Sequence, residues 1–342
     1  MTAISTLDGR AIDDDRAGFS RARWAAAKPR MWGVGLAAAA AWIIVGTIAL
    51  FWRETIPLPY GEALATLCGL IALLLIATTF FGDGFGAFGR KARDAGPWAL
   101  ALALFVAAWE IVTAKTGYLP LPFFPSPQAL LEVYAEDWPR LLDSVRASGW
   151  LLVRGFAFGA TAGFAIGLAM GWWKRAGYWI HPALRLIGPV PATAWLPIIF
   201  FVFPSSASAS VFVIALASSF PIAVLTWSGI AGVNRDYYDI ARTLGATERF
   251  LIFKVAIPAA LPHVFVGLFM GLGSSFAVLV VAEMLGVKSG LGWYLSWAQG
   301  WGAYGNLYAA LLVMALACST LITILFRLRD RLLSWQKGMV RW

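Results

Sequence analysis

Eight long apolar stretches dominate this chain of 342 residues and restrict the folds that are open to it. A helix of about 20 apolar residues crosses the ~30 Å hydrocarbon layer of a bilayer. The stretches are continuous rather than alternating, which favours spanning helices over a β-barrel. Only 13% of the residues are charged, against roughly 25% in soluble proteins. The predicted spans are 31–52, 63–82, 97–114, 148–171, 180–203, 208–231, 260–284 and 305–327.

The distribution of lysine and arginine predicts the orientation of these spans, because cytoplasmic connections carry an excess of both. If the spans alternate, one side holds the two termini, three connections and most of the basic residues. The other side holds only Arg53, Lys115, Arg140, Arg146 and Lys288. Both termini are therefore expected in the cytoplasm, with the chain in the bacterial inner membrane. The net charge of +9 is then a sign of topology and not of nucleic-acid binding.

A polar insert, residues 232–258, separates the sixth and seventh spans and has no use in crossing a bilayer. Its pattern predicts a short amphipathic helix from Tyr238 to Leu244, a second short helix, and Pro258 at the end. Gly245 is expected to stop the first helix, because glycine tolerates the positive φ that follows a helix end. The residues whose types and spacing matter are Asp239, Ile240, Ala241, Gly245, Ala246, Val255, Ile257 and Pro258.

This spacing resembles the cytoplasmic EAA loop of ABC importer permeases, with Asp239 in place of the usual glutamate and Ile240 in place of alanine. Further segments resemble the nitrate, sulfonate, taurine and bicarbonate branch of that family. These segments are 124–127, 188–191, 258–262, 282–286 and 289–292. One departure is Phe203-Pro-Ser-Ser, where the family usually has a Trp/Phe-Phe-Gly turn. The resemblance implies an all-α polytopic membrane protein with the type I importer transmembrane domain, a six-span core.

By this resemblance the chain divides into a cytoplasmic segment 1–30, an additional two-span hairpin with its linker 31–95, and a permease domain 96–342. The linker contains Gly84-Phe-Gly-Ala-Phe-Gly89, which formally fits the dinucleotide-binding fingerprint. It follows a membrane helix and opens no βαβ unit, so a flexible cytoplasmic turn is expected instead. The chain has no G-x-x-x-x-G-K-[ST] motif, so it is not expected to bind ATP.

The resemblance also implies partners. These are a second copy of the chain, two cytoplasmic ATPase subunits docked on the insert, and an extracytoplasmic solute-binding protein on loops 118–137 and 287–306. ATP and Mg would be bound by the ATPases, and no cofactor or nucleic acid by this chain. The fifth, sixth and seventh spans would line a pathway through the bilayer for a small anion such as nitrate, a sulfonate, taurine or bicarbonate.

Small residues and prolines mark the spans that pack closely or bend. The fourth span has glycine every four residues, which makes a groove for another helix of the same chain or of a second subunit. The seventh span carries a shorter stripe. Prolines interrupt the fifth and sixth spans, either as static kinks or as breaks that line a pathway. The residues concerned are Gly155, Gly159, Gly163, Gly167, Gly171, Gly267, Gly271, Ser275, Pro189, Pro191, Pro197 and Pro221.

The charged residues in the interior of the predicted spans are Glu110, Arg154, Arg185 and Glu283. Each is costly there unless it faces protein, water or headgroups. Arg154 would pair with an acid or present positive charge to an entering anion, and Glu283 would pair or cap a loop. Both remain candidates for a role in the pathway.

A polytopic chain of this kind could also be a stand-alone transporter or channel, or a membrane-embedded enzyme. A stand-alone secondary transporter or channel predicts inverted repeats or ionisable pairs at mid-membrane, and neither is clear. A membrane enzyme needs a catalytic cluster, and the two histidines, His181 and His263, stand alone. The sequence therefore favours a transport subunit with no ATPase site of its own.

Overall fold

The computed structural model describes residues 32–81 and 86–336. The predicted segment 1–30, residues 82–85 of the glycine-rich linker and the last six residues lie outside the described residues. Within the described ranges every regular element is a helix. In the part of the chain that the structure describes, seven helices are long and apolar enough to cross a membrane, or eight if one bent pair of helices counts as a single span. This confirms the predicted all-α polytopic fold.

A first compact unit ends at Lys115. In it α1 packs against both α2 and α4. The linker differs from the prediction, because α3 replaces part of the expected flexible turn. Its segment is rich in alanine, lysine and arginine, which favour helix, with Lys91 and Arg93 in the last turn. The helices are α1 (Gly33–Phe51), α2 (Gly61–Phe81), α3 (Gly86–Asp94) and α4 (Gly96–Lys115).

A buried lysine holds α4 in this first unit. The Lys115 ammonium donates to the carbonyl oxygens of Ala49 and Trp52 at 3.1 and 3.0 Å. It also lies 3.3 Å from a carboxylate oxygen of Glu54 and 3.3 Å from one of Glu110. The side chains of Lys115 and Glu110 are fully buried. Packing therefore groups α4 with the first compact unit, which ends at Lys115, and the start of the permease domain at residue 96 stays a prediction.

The second unit contains the remaining helices and is built around α9, which packs between α6 and α11. α10 lies at one end of this bundle, and α5 and α12 lie at the other; we call these the α10 end and the α12 end. The helices are α5 (Pro127–Glu136), α6 (Trp138–Trp172), α7 (Lys174–Ile187), α8 (Leu196–Val202), α9 (Ser206–Ala231), α10 (Arg235–Thr243), α11 (Glu248–Gly286), α12 (Leu291–Gly300) and α13 (Tyr304–Leu332).

The glycine stripe of α6 lies against α9 of the same chain. A Cβ added at Gly163 would lie 2.5 Å from the carbonyl oxygen of Ser219, and one at Gly155 would lie 2.6 Å from Cβ of Ile214. Only glycine permits so close an approach of the two backbones. The stripe is therefore an internal helix contact, which was one of the two alternatives from the sequence.

The prolines of the fifth and sixth predicted spans behave differently. Pro189 and Pro191 lie where α7 has ended, and the chain bends by 85° between α7 and the segment Ala192–Val202. Pro197 is in the first turn of α8, where its missing N–H is not needed. Both residues at the bend are exposed. The predicted break in the fifth span is confirmed.

In the sixth span α9 continues past Pro221, so the chain does not break there, and of the two alternatives only a kink within the helix remains. The segment is packed on two sides. Its α11 side meets Gly267 and Gly271, where an added Cβ would lie 3.1 Å from Cα of Ile222 and 3.0 Å from the carbonyl oxygen of Ser218, respectively. Around the proline α9 is thus packed closely against glycines of both neighbouring helices. Ser275, one turn further along α11, is fully buried.

Candidate functional site

The polar insert begins with α10, a helix whose ends are set by its own sequence. The Asn234 side chain caps its beginning by accepting a backbone hydrogen bond. At its other end Gly245 has φ +81°. The Gly245 N–H donates to the Arg242 carbonyl at 2.9 Å, and the Ala246 N–H donates to the Ala241 carbonyl at 3.0 Å. This pair of bonds is the Schellman motif, and glycine adopts its positive φ without steric cost.

α10 presents an apolar face that nothing in the described chain covers. This face consists of Tyr237, Ile240 and Leu244, which share one side of the helix by their spacing. All three are exposed, and 84% of Leu244 is accessible. The neighbouring residues of the insert are mostly charged or polar, so the face is not a lipid-facing surface of a span. Exposed apolar side chains clustered on a polar element are typical of an interaction surface.

The other side of α10 attaches it to the bundle. The Tyr238 ring packs edge-on against Trp172 at the end of α6, with 5.7 Å between ring centroids. Tyr238 also joins a small cluster around Ile230 and Ala256. Burial raises the pKa of the Tyr238 hydroxyl above its ordinary value, and nearby Arg242 opposes that shift. The sequence placed Tyr238 at the helix start and did not identify it as the anchor.

The second predicted short helix of the insert is not a separate element. α11 begins at Glu248 and runs through Pro258 to Gly286 as one helix of 39 residues. Thr247 caps its first turn, since its hydroxyl accepts from a backbone N–H at 3.4 Å. A wider π turn, Leu251–Ala256, precedes Pro258 and shifts the hydrogen-bonding pattern where the proline has no donor. Val255 and Ile257 lie half-buried beside it.

Arg242 connects the two helices of the insert. Its guanidinium lies 3.6 Å from the carboxylate of Asp239 in α10 and 4.0 Å from that of Glu248 in α11. All three side chains are exposed, so each pair contributes at most about 1 kcal/mol. Asp239, the acidic residue of the predicted loop motif, thus lies on the charged side of α10, away from the apolar face.

At the α12 end Glu283 holds the start of α12. Its fully buried carboxylate accepts from the Ser148 hydroxyl at 2.7 Å and from the Gly292 N–H at 2.8 Å. The same hydroxyl accepts from the Leu291 N–H at 2.7 Å. Gly290 has φ +117°, and a Cβ there would collide with the carboxylate. Glu283 therefore ties α6, α11 and the first turn of α12 together.

A second network at the α12 end was not predicted. The Tyr294 hydroxyl donates to the carboxylate of Asp137, and the Asn306 amide donates to that hydroxyl at 2.7 Å. Arg140 lies 3.8 Å from the same carboxylate. Burial raises the pKa of Tyr294 well above its ordinary value, and hydrogen bonding to Asp137 adds to the shift. These residues come from distant parts of the chain, so no local motif reveals them.

Arg154 and Arg185 are both exposed. The Arg154 guanidinium lies 4.6 Å from the centroid of the Trp150 ring. No carboxylate of the described residues lies within 4.0 Å of it, so the acid that the sequence offered as a partner is not found there. Arg154 instead lines a groove of about 850 Å³ between α6 and α9, together with Ser205 and Ser208. Arg185 lies in the last turn of α7.

The family model described as the binding-protein-dependent transport system inner membrane component matches residues 159–337, more than half of the chain. The chain belongs to this family. The aliphatic sulfonates transport permease protein SsuC (putative) of Bacillus subtilis is 28% identical over 252 residues, which cover 73% of this chain and 91% of SsuC. The nitrate import permease protein NrtB of Synechococcus elongatus is 27% identical over 262 residues, covering 71% and 89%. The importer permease resemblance seen in the sequence is thereby confirmed.

A solved structure of the MetNI methionine ABC transporter in inward-facing conformations contains a chain that this permease resembles in fold. The TM-score is 0.50 at 14% identity, and the match covers 56% of this chain and 95% of that one. The match to the family model, 159–337, includes α10, α11 and Glu283 but not the first unit or Arg154. This permease is thus a multi-pass inner membrane protein that carries a first unit outside the matched range.

Proposed function

We propose that this permease docks separate cytoplasmic ATPase subunits on the apolar face of α10 and forms the pathway for a small solute. The observation that carries the proposal is the exposure of Tyr237, Ile240 and Leu244 on a capped helix of the polar insert. The excess of basic residues in these connections supports a cytoplasmic location for α10 and both termini. ATP and Mg would be bound by the ATPases, and this chain would supply the membrane pathway and the docking surface.

The pathway requires a second copy of the chain. α7 has no buried residue in the isolated chain, and Phe201 of α8 is 91% exposed. This bent pair, with its exposed Pro189 and Pro191, offers a surface for a second permease. α9 and α11 would complete the lining. An extracytoplasmic solute-binding protein would dock at the α12 end, where the two networks around Glu283 and Asp137 hold the loops in place.

The solute proposed is a small anion such as nitrate, a sulfonate, taurine or bicarbonate. The relatives SsuC and NrtB are named as permeases for aliphatic sulfonates and for nitrate, respectively. The unpaired guanidinium of Arg154 and the hydroxyls of Ser205 and Ser208 provide groups that attract an anion. In this scheme Arg154 faces the pathway from the outer half of α6.

The docking surface is tested with Leu244→Ala and the matched control Leu328→Ala. Both leucines are exposed, and Leu328 lies near the end of α13, outside the insert. Loss of a central apolar contact commonly costs 1–3 kcal/mol, so the affinity for the ATPase is expected to fall about 10- to 100-fold for Leu244→Ala. Leu328→Ala should bind normally. The measurement is titration of the cognate ATPase onto the purified permease.

Equal ATPase affinity in both variants would reject α10 as the docking surface. The alternative function, a stand-alone secondary transporter or channel, makes a different prediction. In that case the purified chain, reconstituted alone in vesicles, would accumulate or conduct solute without ATP. Such uptake with no ATPase present would overturn the proposal.

A further inference from the structure

A cavity of about 1010 Å³ lies behind α10 and is not used by the proposed docking surface. The residues of α10 that line it are Arg235, Tyr238, Asp239 and Arg242, which recur at helical spacing. At 100° per residue this side of α10 is opposite the apolar face. The ends of α6 and α9 and the first turns of α11 form the other walls. The cavity therefore opens beside the membrane spans while the apolar face points elsewhere.

The cavity carries an excess of positive charge. It is lined by four cationic side chains and two carboxylates, and both carboxylates are paired with Arg242. The remaining cations are Lys174, Arg235 and Arg249. Among the described residues none of these three has a carboxylate within 4.0 Å. Three unpaired cations around one space favour an anionic ligand with several oxygen atoms.

Aromatic residues place this cavity at the level of the lipid headgroups. Trp172 and Trp173 lie at the junction of α6 and α7 and line the cavity next to Lys174. Tryptophan concentrates at the membrane–water interface because its ring is apolar and its N–H is polar. Trp173 is about half exposed. Basic pockets beside spanning helices on the cytoplasmic side suit the headgroups of anionic lipids.

We propose that this cavity binds the phosphate headgroup of an anionic phospholipid of the cytoplasmic leaflet. Arg235 and Arg249 would bind the phosphate from α10 and α11, and Lys174 would do so from α7. The lipid would then lie between the spans and the charged side of α10. It would brace the helix that carries the apolar face, in addition to the contact between Tyr238 and Trp172. The proposal depends on the cytoplasmic orientation of α10 but not on ATPase docking.

The test is native mass spectrometry of the full-length chain, purified in detergent and mixed with equal amounts of phosphatidylglycerol and phosphatidylcholine. The unaltered chain is expected to retain phosphatidylglycerol in preference. Arg235→Gln combined with Arg249→Gln should lower that affinity about 30-fold, from the usual contribution of a basic residue near anionic lipid. The control Arg327→Gln with Arg331→Gln removes two charges from the end of α13 and should bind normally.

Gel filtration and melting temperature without added lipid show whether each double variant is folded, and Lys174→Gln provides an independent single variant. Equal retention of the two lipids, or equal phosphatidylglycerol affinity in the unaltered chain and in both cavity variants, would overturn the proposal. So would displacement of the lipid by excess inorganic phosphate, which would identify a soluble ligand. Loss of ATPase binding in the cavity variants, with no lipid preference in the chain, would assign the cavity to the protein partner instead.

Discussion

The contact between α6 and α9 offers a quantitative test of the packing. At Gly163 an added Cβ would lie 2.5 Å from the carbonyl oxygen of Ser219, 3.0 Å from its Cα and 3.0 Å from Cβ of Ile222. Ordinary contacts of a Cβ begin near 3.4 Å. Two of the three atoms belong to the backbone of α9, so a rotamer change cannot relieve the clash. Gly163→Ala would force the helices roughly 1 Å apart at this point.

The control is Gly149→Ala on the same helix, where an added Cβ meets nothing within 4 Å. Alanine is favoured over glycine in a helix by about 1 kcal/mol. Both substitutions gain this helix-propensity free energy, so it cancels when the two variants are compared. What remains is the cost of overpacking, about 1–3 kcal/mol. Gly149→Ala should be neutral or slightly stabilising, and Gly163→Ala should be less stable than it by that amount.

The assay is thermal unfolding of the two purified variants in the same detergent, followed by tryptophan fluorescence, with the unaltered chain as reference. Gly163→Ala is expected to melt below Gly149→Ala. Equal melting temperatures would refute the close internal contact. If Gly163→Ala instead kept its melting temperature but lost its second subunit on gel filtration, the stripe would be an interface between subunits.

Four further predictions follow from single contacts. Lys115→Met leaves the carboxylates of Glu54 and Glu110 without their common cation and should lower stability by about 3–5 kcal/mol; an unchanged melting temperature would contradict the buried network. Glu283→Gln replaces one carboxylate oxygen, an acceptor, by an NH2 group that faces N–H and O–H donors, at a cost of about 1–3 kcal/mol. Amide hydrogen exchange at the start of α12 should therefore become faster. Unchanged exchange there would argue against the capping role. Gly245→Asp places a side chain at φ +81°, which costs about 1–2 kcal/mol. The variant should still reach the membrane, but its ATP hydrolysis should be uncoupled from uptake. Retained substrate-stimulated ATPase activity would speak against coupling through α10. Arg154→Gln should reduce anion uptake at low substrate concentration, with partial recovery in Arg154→Lys, and uptake unchanged at all concentrations would remove Arg154 from the pathway.

The features predictable from the sequence are those that depend on local chemistry. The apolar stretches predicted the spanning helices because length and hydropathy suffice to cross a bilayer. Gly245 was expected to end α10 because the residue after a helix often needs positive φ, and it has φ +81°. The bend near Pro189 and Pro191 follows from the same local reasoning, since two prolines so close together cannot both lie inside a helix without strain.

Local chemistry was misleading where tertiary packing dominates. Pro221 was a candidate for a break in a helix and Pro258 was expected to end the insert, yet α9 and α11 continue through them. Packing against glycines on two sides holds α9, and a π turn accommodates the proline in α11. Contacts between distant residues gave no signal at all. Asp137 and Tyr294 are 157 positions apart, and Lys115 meets Glu54 across 61 positions, so no spacing rule connects them.

The continuity of α11 changes how movement of α10 would reach the far side of the bundle. A separate short helix followed by a break at Pro258 would absorb a displacement of α10 before it reached the membrane-spanning part of α11. One continuous helix of 39 residues is about 58 Å long and would transmit a displacement along its axis. Its first turn contacts α10 through Arg242 and Glu248, and its last turns hold α12 through Glu283. A displacement of the insert would therefore shift the first turn of α12 directly, with the π turn at Leu251–Ala256 as the point where such a helix yields first.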